Sequence, residues 1–215
     1  MQHDITKLCA DSLRSYLNDK HGIKLKSGHA HEIVATFFSY GTKIALLADK
    51  QYPLSNLEKA EFIILNPLIA FVDQRLKNLE ELPPGLPPSY ILAEGVYAPI
   101  VADKQFLGKI WPTFRDLAIA LAEDRGHEHL RVLGANPKDM NWITDVAIKT
   151  TESEVLMTVI FDYATNTGKQ LRQSKVEIKL PRIAGNIGYG KPEVVPAFYT
   201  GRARDPDYRQ KHGIA

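Results

Sequence analysis

The sequence of 215 residues contains only one cysteine, Cys9, so an internal disulfide and a cysteine-rich metal site are both excluded. Long apolar runs are also missing. The most apolar stretch, residues 62–72, is too short to cross a bilayer and contains Asn66 and Pro67. The opening MQHDITKL has no basic segment followed by an apolar one, so we expect no signal peptide. These features predict a cytoplasmic protein without membrane insertion.

An excess of one charge is the next missing feature. The chain has 27 Lys and Arg against 25 Asp and Glu, which gives a formal net charge of +2. This value does not require a polyanionic partner, although it allows local basic patches. Because 44% of the residues are hydrophobic and 24% are charged, the composition is that of a folded globular protein rather than a disordered one.

The most informative stretch is Val155–Tyr163, VLMTVIFDY, which has apolar residues on both faces of an extended chain. It predicts the central strand of a sheet. Alternating residues flank it on both sides, and the inward set is Trp142, Thr144, Val146 and Ile148 before it and Val176, Ile178 and Leu180 after it. We therefore predict an antiparallel meander over Asn141–Leu180, with turns at residues 150–153 and 164–168.

The first half of the chain is predicted to be helical. Apolar residues from Ile5 to Leu17 recur at helical spacing, and Gly22 is placed to end that helix. Ser27 should cap a second helix reaching about Ser39, and Thr42 should cap a short third one, KIALLAD. A further turn is expected at residues 54–61, followed by a helix from Asn66 to Pro83.

The prolines of Pro83-Pro-Gly-Leu-Pro-Pro88 predict a stiff boundary. Residues 89–110 allow either a helix interrupted at Gly95 or two short strands around it, and we favour strands. Thr113 and Asp116 have capping-box spacing and predict a helix from Phe114 to Arg125. The expected fold class is α+β, a helical N-terminal part followed by a helix packed on a three- to five-stranded antiparallel sheet. The expected divisions are a helical domain 1–82, a linker 83–88, an α+β domain 89–195 and a C-terminal surface arm 196–215.

One stretch carries a family resemblance. Residues 25–49 contain Ser27-Gly-His-Ala-His-Glu32, then apolar pairs, Tyr40-Gly41 and a short helix rich in Ala and Leu. This pattern resembles a small helical module of uncharacterised bacterial proteins, many of them plasmid-borne. The resemblance implies the context of a bacterial mobile element, and it implies no defined chemistry.

Two kinds of motif suggest a metal site or a phosphate-binding loop, and neither has the structural context that such a site needs. His29 with His31, and His127 with His129, form His-x-His pairs, but residues two apart on a helix point to different sides. The second pair is expected to follow a helix, whose negative end favours cationic side chains. The glycine-rich segment 185–191 ends in lysine, yet no helix is expected after it to aim backbone amides at a phosphate. We therefore predict a turn there, no metal and no cofactor.

A catalytic set is not evident in the sequence. No serine lies in a Gly-x-Ser-x-Gly turn, and Cys9 lies on the apolar stripe of the first helix, which predicts a buried thiol. By elimination, the sequence predicts a non-enzymatic protein-binding or regulatory protein of a mobile element. One specific version is a fertility inhibitor that binds a component of the conjugation apparatus. An enzyme with a scattered active site remains a third interpretation.

The two leading interpretations name different residues. For protein binding, the candidates are aromatic and arginine side chains of the C-terminal arm: Phe198, Tyr199, Arg202, Arg204 and Tyr208. The alternative is a nucleic-acid-binding accessory protein, whose candidate residues are Lys175, Lys179 and Arg182 in a basic stretch. Glu177 interrupts that stretch, and the second helix lacks a row of base-reading side chains.

Overall fold

The structure is a computed structural model that describes residues 4–65, 69–102, 108–132, 140–164 and 171–202. Its helices are α1 Ile5–His21, α2 Ser27–Phe37, α3 Lys43–Ala48, α4 Ile69–Lys77, α5 Ser89–Ala102 and α6 Phe114–Val132, with a 3-10 helix at Leu54–Lys59. Its strands are β1 Phe62–Ile64, β2 Lys109–Trp111, β3 Met140–Thr150, β4 Glu154–Ala164, β5 Leu171–Ala184, β6 Gly188–Tyr189 and β7 Glu193–Arg202. The α+β class is therefore confirmed.

The residues divide into two compact units. The first contains the chain up to Pro112 together with Arg182–Gly190, and the second contains Thr113–Pro181 and the chain from Lys191 onward. The proline-rich segment 83–88, predicted as a boundary, lies inside the first unit because α5, which follows it, contacts α1. Strand β5 contributes to both units, since its last residues, Arg182 and Ala184, pair with β6.

In the first unit, Gly22 and Thr42 act at helix ends as the sequence predicts, and Asp4 adds a cap that was not predicted. The carboxylate of Asp4 accepts hydrogen bonds from the amides of Thr6 and Lys7 at the start of α1, and Gly22 ends that helix in the left-handed conformation. The hydroxyl of Thr42 caps α3 by accepting a hydrogen bond from the Ala45 amide at 3.0 Å. Ser27 differs from the prediction, because it is the first residue of α2 rather than its cap.

Helix α5 corrects the prediction of two strands in residues 89–110. Its apolar residues show no single stripe, which is why the pattern was ambiguous, and Leu92, Val96 and Ile100 are completely buried. Gly95 does not break the helix. A Cβ at this position would lie 3.0 Å from the side chain of Tyr16 in α1, so the glycine allows two helices to approach closely.

The first unit is also not purely helical, which corrects the prediction for residues 1–82. Strand β1 lies between β2, with which it is parallel, and β6, with which it is antiparallel. Predicted helix starts at Asn66 and Pro67 lie outside the described residues, and α4 begins at Ile69. The 3-10 helix at Leu54–Lys59 takes the place of the further turn expected there.

The second unit is the predicted helix on an antiparallel sheet. The strand order is β3, β4, β5, β7, so β4 and β5 are the central strands. Side chains of one face are buried: Val155, Met157, Val159 and Phe161 from β4, and Val176, Ile178 and Leu180 from β5. Helix α6 contacts β4, and Thr113 caps this helix, because its hydroxyl accepts a hydrogen bond from the Asp116 amide at 3.1 Å. The Asp116 carboxylate in turn accepts a hydrogen bond from that hydroxyl at 2.7 Å. The helix continues through Gly126 to Val132, beyond its predicted end at Arg125.

Within the described ranges, no helix is both long enough and apolar enough to cross a membrane.

Candidate functional site

The residues predicted to bind a protein partner do not form a surface arm where the structure describes them. Phe198, Tyr199 and Arg202 belong to β7, which pairs with β5 in the sheet of the second unit. The prediction of an arm from residue 196 is wrong up to Arg202, because ladder pairing continues through this segment. Arg204 and Tyr208 lie outside the described residues.

The two lysines of the predicted nucleic-acid footprint pair with carboxylates of their own unit. The ammonium group of Lys175 lies 2.7 Å from the Glu177 carboxylate, and that of Lys179 lies 3.2 Å from the Glu193 carboxylate. The hydrogen bond from Lys175 lowers the pKa of Glu177. Exposed pairs of this kind contribute little to stability, but each places a negative charge beside the cation that a phosphate would need.

Arg182, the third residue of that footprint, is only 14% exposed and takes part in a polar network of the first unit. Its guanidinium lies 2.8 Å from the Asp49 carboxylate, donates to the Gly185 carbonyl and lies 4.6 Å from the ring centroid of Tyr52. The hydroxyl of Tyr40 donates to Asp49 at 2.6 Å. Arg182 therefore connects the returning segment 182–190 to the residues on both sides of α3.

The pKa values in this network follow its geometry. Burial raises the pKa of Tyr40, and its hydrogen bond to Asp49 raises it further. Burial also raises the pKa of Asp49, but hydrogen bonds from Tyr40 and the Tyr52 amide, together with the charge of Arg182, outweigh burial and lower it overall. The network consequently holds a neutral phenol beside an ionised carboxylate and an arginine. Such a closed network of partners stabilises the fold rather than presenting a reactive group.

The glycine-rich segment 185–191 serves packing. A Cβ on Gly185 would lie 2.6 Å from the Leu54 side chain, and one on Gly188 would lie 2.8 Å from that of Leu57. Both glycines therefore let the chain pass close to the 3-10 helix. The segment contains β6, which the prediction of a simple turn missed, and strand β7 follows it where a phosphate loop would need a helix.

In the described part of the chain, no group of three or more His, Cys, Asp and Glu side chains is arranged to hold an ion. His29 and His31 lie in the first turns of α2, and the Nδ1 atoms of both are buried without a hydrogen-bond partner. Burial lowers the pKa of His31, and the nearby charge of Lys43 lowers it further. His127 and His129 lie within α6, not after its end as predicted.

Cys9 is completely buried in the helical core, as its place on the apolar stripe predicts. Burial raises the pKa of its thiol to about 12, so the thiolate is scarce at neutral pH. This residue packs as a small apolar side chain and does not provide a nucleophile.

The surface that sequence reasoning missed is the outer side of α3. Ile44 is 78% exposed and Leu47 is 51% exposed, while Ala45 and Ala48 beside them are also exposed. Only Leu46 of this helix is buried. A surface helix normally turns polar residues outward, so four exposed apolar residues in one short helix are unusual. The signal was present in KIALLA, because a single turn and a half cannot bury so many apolar residues on one side.

The α3 surface, defined here as Ile44, Ala45, Leu47 and Ala48, belongs to a helix that hydrogen bonds and ion pairs anchor at both ends. Thr42 caps the helix, the Lys43 amide donates to the Glu32 carboxylate at 3.3 Å, and Glu32 in turn lies 3.4 Å from the guanidinium of Arg75. Asp49 joins the Arg182 network at the other end. An apolar surface that is already ordered loses little conformational entropy on binding a partner.

A cleft of about 260 Å³ adjoins the α3 surface. Its walls come from the start of α1, from α2 and from α3, and they include Asp4, Lys7, Asp11, His31, Lys43 and Leu47. The cleft and the α3 surface together offer apolar area beside charged groups, which suits binding. Their side chains do not include an activated nucleophile paired with a base.

No protein-family model, curated protein or solved structure matches this chain.

Proposed function

We propose that this chain is a non-enzymatic protein-binding regulator of a bacterial mobile element, and that its partner docks on the α3 surface. The observation that carries the proposal is the exposure of Ile44 and Leu47 on a helix whose position is held at both ends. Contiguous apolar patches on an otherwise polar surface mark interaction sites more often than isolated apolar residues do. Other exposed apolar residues of the described chain, such as Tyr90 and Val101, lie on a different helix, α5.

The α3 surface would be the centre of an interface, not all of it. Stable protein interfaces bury roughly 800 Å² on each partner, which is more than one short helix presents, while a few central residues supply most of the binding energy. The adjoining cleft and the exposed residues of α1 extend the area on one side. Ile44 and Leu47 have the position expected of central anchors.

The mobile-element context comes from the sequence resemblance. Residues 25–49, which resemble the module of plasmid-borne proteins, correspond to α2 and α3 and therefore contain the proposed docking surface. The specific version of the proposal is a fertility inhibitor that binds a component of the conjugation apparatus. The pairing of Lys175 and Lys179 with carboxylates favours this protein-binding role over binding to nucleic acid.

A mating assay tests the proposal. Donor cells that carry a conjugative plasmid should produce fewer transconjugants when they express this chain, and Ile44→Asp should remove the effect because it places a charge in the centre of the interface. Tyr90→Asp is the matched control, since Tyr90 is 64% exposed on a different helix.

If the Ile44→Asp variant inhibited transfer as strongly as the wild type, the docking surface would have to lie elsewhere than on α3. An unchanged number of transconjugants with the wild type would reject the conjugation version. Titration with labelled duplex and single-stranded DNA provides the contrast: micromolar, salt-sensitive binding that is lost in Lys175→Glu/Lys179→Glu would replace protein binding with nucleic-acid binding.

A further inference from the structure

The cleft beside the α3 surface contains two lysines, Lys7 and Lys43, that have no ion-pair partner among the described residues. Four ionised side chains line it, namely Asp4, Lys7, Asp11 and Lys43. They cancel formally, but they are not equally available. Both carboxylates have partners inside the chain, and the two ammonium groups form no ion pair within the described residues.

The carboxylate of Asp4 is occupied by the start of α1. It accepts hydrogen bonds from the Thr6 amide at 3.0 Å, from the Lys7 amide at 3.3 Å and from the Thr6 hydroxyl. Burial raises the pKa of Asp4, yet these hydrogen bonds outweigh burial and keep it below the ordinary value. The negative charge of Asp4 is therefore committed to capping α1.

The carboxylate of Asp11 lies 3.5 Å from the guanidinium of Arg14, one turn further along α1. His31, also in the cleft, adds little positive charge at neutral pH because burial and Lys43 lower its pKa. Lys7 and Lys43 are thus the charged groups that remain for a ligand. They reach the cleft from different helices, α1 and α3, and Lys43 is the immediate neighbour of Ile44.

We propose that the partner docked on the α3 surface is an acidic protein segment, which places a carboxylate in the cleft between Lys7 and Lys43 and an aliphatic side chain against Ile44 and Leu47. The inference rests on the proposed function, because it specifies the chemistry of the same partner. A volume of about 260 Å³ suits one side chain. Small-molecule sites usually enclose roughly 300 to 1,000 Å³.

An anionic membrane offers a similar combination of negative charge and apolar area, but it fits this surface less well. A membrane-bound helix needs a long apolar face to enter the headgroup region, whereas α3 has six residues.

The test uses the full chain and two labelled helical peptides with leucine at helical spacing, one carrying glutamate and the other lysine at all flanking positions. Fluorescence anisotropy should show binding of the glutamate peptide and about tenfold weaker binding of the lysine peptide. Lys7→Gln/Lys43→Gln should remove most of this preference, and raised salt should reduce it in the wild type. Lys24→Gln is the control, because Lys24 is exposed in the loop between α1 and α2, away from this cleft.

Equal affinity for both peptides, or preference for the lysine peptide, would overturn the inference. So would stronger binding to phosphatidylserine vesicles than to the glutamate peptide, or displacement of that peptide by inorganic phosphate at equal concentration. The mating assay separates the two levels of the argument. If Ile44→Asp removes inhibition but Lys7→Glu/Lys43→Glu leaves it unchanged, the docking surface is retained and the acidic partner is rejected. If both variants inhibit as the wild type does, the docking surface itself is rejected.

Discussion

Strand β4 and helix α3 are both rich in apolar residues, but they have different surroundings. Strand β4 pairs with a neighbouring strand on each edge. On its inner face, no more than 1% of the surface is exposed in each of Val155, Met157, Val159 and Phe161. In α3, Leu46 is buried while Ile44 and Leu47 remain largely exposed. The apolar composition of the two elements is similar. They differ in whether other described residues of the same unit pack over their apolar side chains. An apolar residue left uncovered on an ordered helix is available to a partner.

The largest expected effect tests the covered side of this comparison. Phe161→Ala should lower the free energy of unfolding by about 3 to 5 kcal/mol, because a buried aromatic leaves a cavity on a central strand. Urea denaturation measures the change. Ile148→Ala is the control on the neighbouring strand β3, where Ile148 is 42% exposed, and its effect should be much smaller. Loss of only ~0.5 kcal/mol in Phe161→Ala would show that this face is not a core.

The next effect concerns the support of α3. Arg182→Met should lower the free energy of unfolding by about 3 kcal/mol, because it leaves the largely buried Asp49 carboxylate without its cation and the Tyr40 hydroxyl without a donor. Lys175→Met removes an exposed pair and should cost less than about 1 kcal/mol. Similar values for the two variants, again from urea denaturation, would mean that the network around α3 is no stronger than a surface ion pair.

Features that depend on residues close in the chain could be predicted from the sequence. The caps at Thr42 and Thr113 and the apolar stretch that forms β4 involve residues close in the chain, so local chemistry predicted them. The remaining features depend on distant residues. From the sequence, Gly95 is expected to interrupt a helix, but in the structure it allows close contact with Tyr16. Arg182 is expected to be a surface cation, but it pairs with Asp49, which lies 133 residues earlier in the chain. The α3 surface was visible as composition, but only the fold shows that no described residue of the first unit covers Ile44 and Leu47.

The acid sensitivity of the Arg182 network is the third expected effect. The pKa of Asp49 in the folded protein lies below its ordinary value of 3.8, so the ionised carboxylate stabilises the fold above that pH. This contribution should be lost as pH falls through the folded pKa. The difference in unfolding free energy between wild type and Asp49→Asn should therefore be largest near neutral pH and shrink below about pH 4. A difference that stays constant over this range would mean that the charge of Asp49 does not stabilise the folded state.

The smallest expected change in stability is the most informative about function, because it compares neighbours on α3. Leu46→Ala should lower the free energy of unfolding by about 2 kcal/mol, since Leu46 is 6% exposed. Ile44→Ala should change the free energy of unfolding by no more than ~0.5 kcal/mol. The substitution removes little buried apolar area, and alanine favours a helix more than isoleucine does. Ile44→Ala should nevertheless weaken binding of the glutamate peptide, measured by anisotropy. If Ile44→Ala destabilised the chain as much as Leu46→Ala, Ile44 would have to be covered within the protein itself, and the α3 surface would no longer be free for a partner.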